Sequence, residues 1–129
     1  MDSFPSGSSS GSRISAPRTM FIDAPYIHQK EQYPTGCESV SAVMALQYIG
    51  VDISVETFID RYLDQGSAPY YDEDGRRKGC DPWSKFPGSP YSNRGWGCFA
   101  PVIVNAVDKF LDHDRYDVLG LYDWSLQRL

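Results

Sequence analysis

The run 39–49, framed by Thr35-Gly36-Cys37-Glu38 before it and Gly50 after it, constrains this chain more than any other stretch. Thr35 and Glu38 have the spacing of a capping box. The threonine oxygen would accept from the N3 amide, and the glutamate would reach back to the cap amide. That makes Thr35 the expected N-cap and puts Cys37 at N2, in the first turn. Gly50 suits the left-handed position just past a helix end. Between these marks, Val40, Ala42, Val43, Met44, Ala45, Leu46, Tyr48 and Ile49 are apolar nearly all round, which predicts a buried helix.

A second helix is expected almost at once. Ser54 can cap it, and Val55, Phe58, Ile59, Tyr62 and Leu63 make a stripe that should pack on the first helix. The connection 51–53 is short enough for a tight pair. Over 64–97, Gly, Pro, Asp and Ser recur, yet Tyr70, Tyr71, Trp83, Phe86, Tyr91 and Trp96 lie among them. Those aromatics argue against disorder, so the segment reads as an ordered excursion. Its rings either border a cleft or cover the helices. Asp72-Glu73-Asp74-Gly75 has a superficial likeness to a calcium loop but lacks the later ligands, and reads as a turn. A third helix is predicted over 100–111, with Pro101 in its first turn and Phe99, Ile103, Ala106, Val107, Phe110 and Leu111 as its face.

The flanks are weaker. Residues 6–15 are Gly- and Ser-rich, so 1–19 reads as a flexible leader and 20–129 as the folded part. The segment 21–27 carries Pro25 and is an extended arm or edge strand at best. Residues 116–121 read as a short strand, and Asp123 as the cap of a helix carrying Leu126 and Leu129. A helix begun so late, after three helices and almost no sheet, points to a missing C-terminal half.

Charge and cysteine usage narrow the function classes. A formal net charge of -5 argues against non-specific nucleic-acid binding, which needs a basic face. No apolar run approaches the roughly 20 residues of a membrane-spanning helix, and the N-terminus lacks the apolar middle of a secretory signal. Cys37, Cys80 and Cys98 form no CxxC pair, and His28 and His113 have no metal-ligand spacing. A zinc site from Cys80, Cys98 and a histidine would lack close ligand pairs. A Cys80–Cys98 disulfide would need an oxidising compartment that nothing establishes. No cofactor and no metal are expected.

At a helix start, free amides and the macrodipole favour an anion. A cysteine there can have its pKa lowered when a cationic partner helps. By position alone, Cys37 also fits a small core residue. Its surroundings say more. Ala24-Pro25-Tyr26-Ile27-His28-Gln29 followed by Tyr33-Pro34-Thr35-Gly36-Cys37-Glu38-Ser39-Val40-Ser41-Ala42-Val43 resembles the start of the papain-like cysteine peptidases of family thirty-nine, relatives of the bacteriocin-leader processing enzymes. The resemblance continues through Gly50-Val51-Asp52-Ile53-Ser54, Asp81-Pro82-Trp83 and Gly95-Trp96-Gly97-Cys98-Phe99-Ala100-Pro101-Val102.

The resemblance implies an α+β fold, of which this chain would be the N-terminal, helix-rich lobe, mainly α, with the sheet lobe missing. It implies Cys37 as the nucleophile that forms a thioester acyl-enzyme. It implies Gln29 as the oxyanion-hole amide, acting with the Cys37 backbone N–H. Gln32 competes on proximity, but the Tyr-Ile-x-Gln context favours Gln29. Without the family match, Gln29 reads as a loop glutamine bonding its own backbone. The family's base is a histidine on a strand of the second lobe, oriented by Asp or Asn. His28 precedes the nucleophile, and His113 lies in the polar stretch Asp112-His113-Asp114-Arg115, so neither fits. These residues alone are therefore expected to show negligible peptidase activity. The implied partner is a peptide or protein substrate. Glu38 is read as capping rather than catalysis. The alternative is a non-catalytic peptide-binding domain of the same fold, and a face left bare by a missing lobe should promote association.

Overall fold

Helix α1, Cys37–Tyr48, begins one residue later than the capping box requires. The structure, a computed structural model, describes residues 19–120. The N-cap is Gly36, with no side-chain cap. Thr35 does not cap because its hydroxyl is used elsewhere: it donates to the carbonyls of Ser89 (3.2 Å) and Ser92 (2.8 Å). Cys37 is accordingly at N1, not N2. The far end matches expectation. Gly50 has φ +94, its N–H bonds to Gln47 O at 3.1 Å, and the Val51 N–H bonds to Leu46 O at 2.9 Å. Those two bonds are a Schellman closure, which only a residue at ease with positive φ completes without strain.

The helix is not buried all round. Ser39, Val40, Val43 and Leu46 are buried, while Ser41, Ala45 and Tyr48 face solvent. Ser54 caps α2 (Val55–Thr57) as expected, its hydroxyl accepting from the Thr57 N–H at 3.1 Å. The helix then widens into a π-turn, Phe58–Tyr62, closed by Leu63 N–H to Phe58 O. Phe58 and Ile59 are fully buried, and Tyr62 lies against Phe110 with ring centroids 4.5 Å apart.

Helix α3, Ala100–Asp108, stops short of the expected Leu111, and the chain continues in turns that still bury Leu111. Its inner face is Val102, Ala106 and Val107. Phe99 is the N-cap residue, and its half-exposed ring stacks on Trp83 at 4.4 Å instead of joining the helix face. These three helical pieces meet in one core, with Tyr33, Ile53 and Phe86 added from the connections. Each fully buried side chain of this size stabilises the fold by about 1.5–3 kcal/mol.

The segment after the π-turn is ordered by two small pairings. Strand β1 (Gln65–Gly66) runs parallel to β4 (Phe86–Pro87), and β2 (Tyr70–Tyr71) antiparallel to β3 (Arg77–Lys78). The acidic stretch is the hairpin turn: Asp72 Oδ1 accepts from the N–H groups of Asp74 and Arg76. The fold is mixed α+β, with helices dominating. No strand forms over 116–120. Tyr116 instead donates its hydroxyl to Ile49 O at 3.0 Å, and Val118 packs at the core edge, so side-chain anchoring replaces strand pairing. The arm 21–27 is exposed except at Ile27 and joins no sheet. The leader and the expected helix at Asp123 lie outside the described residues. Among the described residues, no helix is long and apolar enough to cross a membrane.

Candidate active site

The start of α1 is fixed from both sides. Upstream, the Tyr33 N–H bonds to Gln29 O (2.9 Å) and the Gly36 N–H to Tyr33 O (3.0 Å), folding 29–36 into consecutive turns. Tyr33 is buried and rests against Tyr91. Across from it, the Thr35 N–H bonds to Pro90 O, adding to the two bonds from the Thr35 hydroxyl. The aromatic segment is thus stitched directly to the turn that presents Cys37.

Cys37 is exposed at the first helical position. Its thiol pKa is raised, contrary to what a helix start alone favours. Partial desolvation is the largest cause, followed by the negative charge of Glu38 next to it. Backbone N–H donation from Cys37 and Glu38 pulls the other way and does not prevail. In this arrangement the neutral thiol is the dominant form at pH 7, and a thiolate requires a cationic partner.

Glu38 does not cap the helix. Its carboxylate lies against Gly97, where an added Cβ would meet Oε2 at 2.7 Å, and its Oε1 is buried without a hydrogen-bond partner. Gly97 has φ +83, so glycine is required there both by backbone conformation and by the carboxylate's approach. Glu38, Pro82, Trp96, Gly97, Cys98 and Phe99 line a cavity of about 270 Å³ beside the nucleophile position. Cys98 is half-buried, and its pKa is pushed up to about 12, by burial first and then by Glu38 and Cys37. It behaves as a small apolar wall rather than a second nucleophile.

Gln29 is half-buried, and its Nε2 donates to Tyr33 O at 3.0 Å and to Pro34 O at 3.4 Å. The side chain therefore clamps the turn leading to Cys37. Gln32 is exposed in the same turn. His28 is exposed and stacks on Tyr26. His113 is held at the far end of α3 by Asp108, 3.1 Å from its carbonyl and 3.5 Å from its carboxylate. Cys80 is half-buried, and all three cysteines are free thiols. Among the described residues, no group of three or more His, Cys, Asp or Glu side chains could hold a metal ion.

Trp96 is one of the rings expected either to border a cleft or to cover the helices, and it lines the cavity; Glu38 as a cavity residue, and Gly97, Cys98 and Phe99 as its walls, were not expected from the sequence. A signal existed: the glycine-bracketed Trp96 and the neighbouring Cys98-Phe99 form a block unlike the polar loop around it. What could not be read was the fold-back that sets this block against α1. The sequence profile described as the Peptidase_C39 like family matches residues 21–125. No curated protein and no solved structure matches the chain.

Proposed function

The chain belongs to the Peptidase_C39 like family and is a cysteine peptidase-like domain; on that premise we propose that Cys37 is its nucleophile. The observation that carries this reading is an exposed thiol at the first position of α1, beside a cavity walled by the aromatic segment. Attack of the Cys37 thiolate on a peptide carbonyl forms the C–S bond and a tetrahedral oxyanion. Collapse expels the amine, which takes up a proton, and leaves a thioester for water to hydrolyse. The Cys37 backbone N–H and the Gln29 amide stabilise the oxyanion. Gln29 enters that role by giving up its long bond to Pro34 O while keeping the one to Tyr33 O.

Residues 20–129 serve as the helix-rich part of the peptidase domain, behind a leader of 1–19. Neither histidine is read as the general base: His28 precedes the nucleophile, and His113 follows the end of α3 in the polar stretch Asp112-His113-Asp114-Arg115. The 129 residues alone therefore turn over peptides negligibly. The likeness to bacteriocin-leader processing enzymes supports a peptide or protein substrate. A second reading, a non-catalytic peptide-binding domain of the same fold, is favoured by one observation: the Cys37 pKa is raised rather than lowered.

Labelling with a peptidyl electrophile, mapped by mass spectrometry, tests the nucleophile. Preferential modification of Cys37 over Cys80 and Cys98 is expected. Labelling of Cys37 no faster than of Cys80 sinks the peptidase reading and leaves the binding domain. Measurable peptide turnover by the 129 residues, lost in Cys37→Ala, would show that a base is present after all.

A further inference from the structure

The cavity beside Cys37 contains an electrostatic imbalance that the peptide chemistry above does not use. Of its lining residues Glu38, Pro82, Trp96, Gly97, Cys98 and Phe99, only Glu38 carries a carboxylate, and the Cys98 thiol stays neutral at pH 7. Glu38 Oε1 is buried and has no hydrogen-bond partner. No Lys, Arg or His among the described residues pairs with this carboxylate. A buried carboxylate oxygen without a donor is a costly feature for a fold to keep, and it is relieved by a ligand that brings one.

The rest of the lining suits a cation on a long apolar stem. Trp96 already attracts one, the Arg77 guanidinium at 5.2 Å from its ring centroid. An indole is the best side chain for such contacts. Pro82 and Phe99 offer apolar surface for methylenes, and Phe99 is braced by its stack on Trp83. At about 270 Å³ the cavity lies just below the range of roughly 300–1,000 Å³ typical of whole-ligand pockets, so it fits a single side chain.

We propose that this cavity is a specificity subsite that takes the lysine or arginine side chain of a peptide whose carbonyl lies at Cys37. The basic group donates to the Glu38 carboxylate, and its stem lies along Phe99, Pro82 and Trp96. An apolar side chain of equal length would leave Oε1 unpaired, and an acidic one would be repelled. This rests on Cys37 as the nucleophile for the meaning of "subsite", although cation binding itself does not.

The test separates the two. In the 129-residue chain, the Trp96 indole and Gly97 amide NMR signals are followed while Nα-acetyl-arginine amide, Nα-acetyl-lysine amide or Nα-acetyl-norleucine amide is added. The basic amides should bind about tenfold more tightly than the norleucine compound, the scale of one charge-assisted hydrogen bond. Glu38→Gln should remove most of that preference. Gly97→Ala, which crowds the same carboxylate, should weaken it too. Equal response to basic and norleucine amides in the unmodified chain overturns the proposal, whatever the variants do. In parallel, Cys37 labelling rates are compared for peptidyl electrophiles carrying lysine or norleucine next to the reactive group. A lysine preference abolished by Glu38→Gln is the expected result. If basic amides bind but the electrophiles label Cys37 equally, the cavity is not a subsite of this nucleophile and the proposal fails. If no peptidyl electrophile labels Cys37 while the basic amides still bind, the peptidase reading fails, the assignment as a subsite falls with it, and cation binding stands.

Discussion

Helix α1 and the segment 64–97 are both well ordered, but they are ordered by different means. In α1, the closing Schellman bonds, the glycine at φ +94 and the buried Val40, Val43 and Leu46 lie within a few residues of one another. In 64–97 the fixing contacts span long stretches of chain: Phe86 fully buried among the helices, Gln65 paired with Phe86, and Thr35 bonded to Ser89 and Ser92. The cavity beside Cys37 exists only where these two regions meet. A helix start supplies the thiol, and a long-range fold-back supplies the walls.

Phe58 and Phe86 have the same side chain and the same complete burial, one in the helical frame and one in the long segment. Either Phe→Ala should cost about 3–5 kcal/mol in denaturant unfolding. The comparison predicts a difference in what opens. Phe86→Ala should release 64–97 first, seen as faster amide exchange there and faster alkylation of Cys98, with α1 still protected. Phe58→Ala should lower protection across all three helices together. Identical exchange patterns would break the distinction.

Thr35→Val is next in size. It removes a hydroxyl that donates to two carbonyls, with an expected cost of about 1–2 kcal/mol. Because Thr35 ties the regions together and does not cap, helix content by circular dichroism should hold in the native state while exchange rises at 89–92. A loss of helicity instead would restore Thr35 as a cap.

A smaller effect is expected at alkaline pH. The Cys98 pKa is raised from the ordinary 9.0 to about 12. A raised folded pKa means the unfolded chain releases its proton first, so this contribution is intact below pH 9 and is lost as pH rises toward 12. Tyr91, raised from 10.0 to about 12 by burial and then by Asp60, acts in the upper part of the same window. Stability should thus fall from pH 9 upward, and Cys98→Ala should flatten that limb. For Cys37, the alkylation midpoint should lie above the ordinary thiol value of 9.0 and drop in Glu38→Gln.

Ser39→Ala should be the smallest change. Ser39 is fully buried, and its hydroxyl lacks a partner. Removing it should leave stability unchanged or raise it by up to about 1 kcal/mol. A clear loss in thermal unfolding would reveal a bond that the hydroxyl makes in solution.

Much of the helical frame was legible because its signals are local. Ser54 capping α2, Gly50 closing α1, and the stripe of Val55, Phe58, Ile59 and Leu63 each depend on residues a turn or two apart. The failures share a cause as well. Thr35 and Glu38 have capping-box spacing, but a distant carbonyl pair took the threonine hydroxyl and a distant glycine made room for the glutamate. Phe99 was assigned to a helix face and was taken by Trp83 instead. Local propensity lost wherever a long-range partner offered a better contact.

By itself, the sequence determined the helices, the helix-start position of Cys37 and, through its flanking block, the family. Those follow from spacing, capping and closure within short windows. The tertiary structure decided the surroundings of that cysteine: a carboxylate turned inward rather than back to the cap, a thiol made harder to ionise, and an aromatic wall brought from some sixty residues away. Burial and the charge of a neighbour depend on which surfaces meet, and no local pattern encodes that meeting.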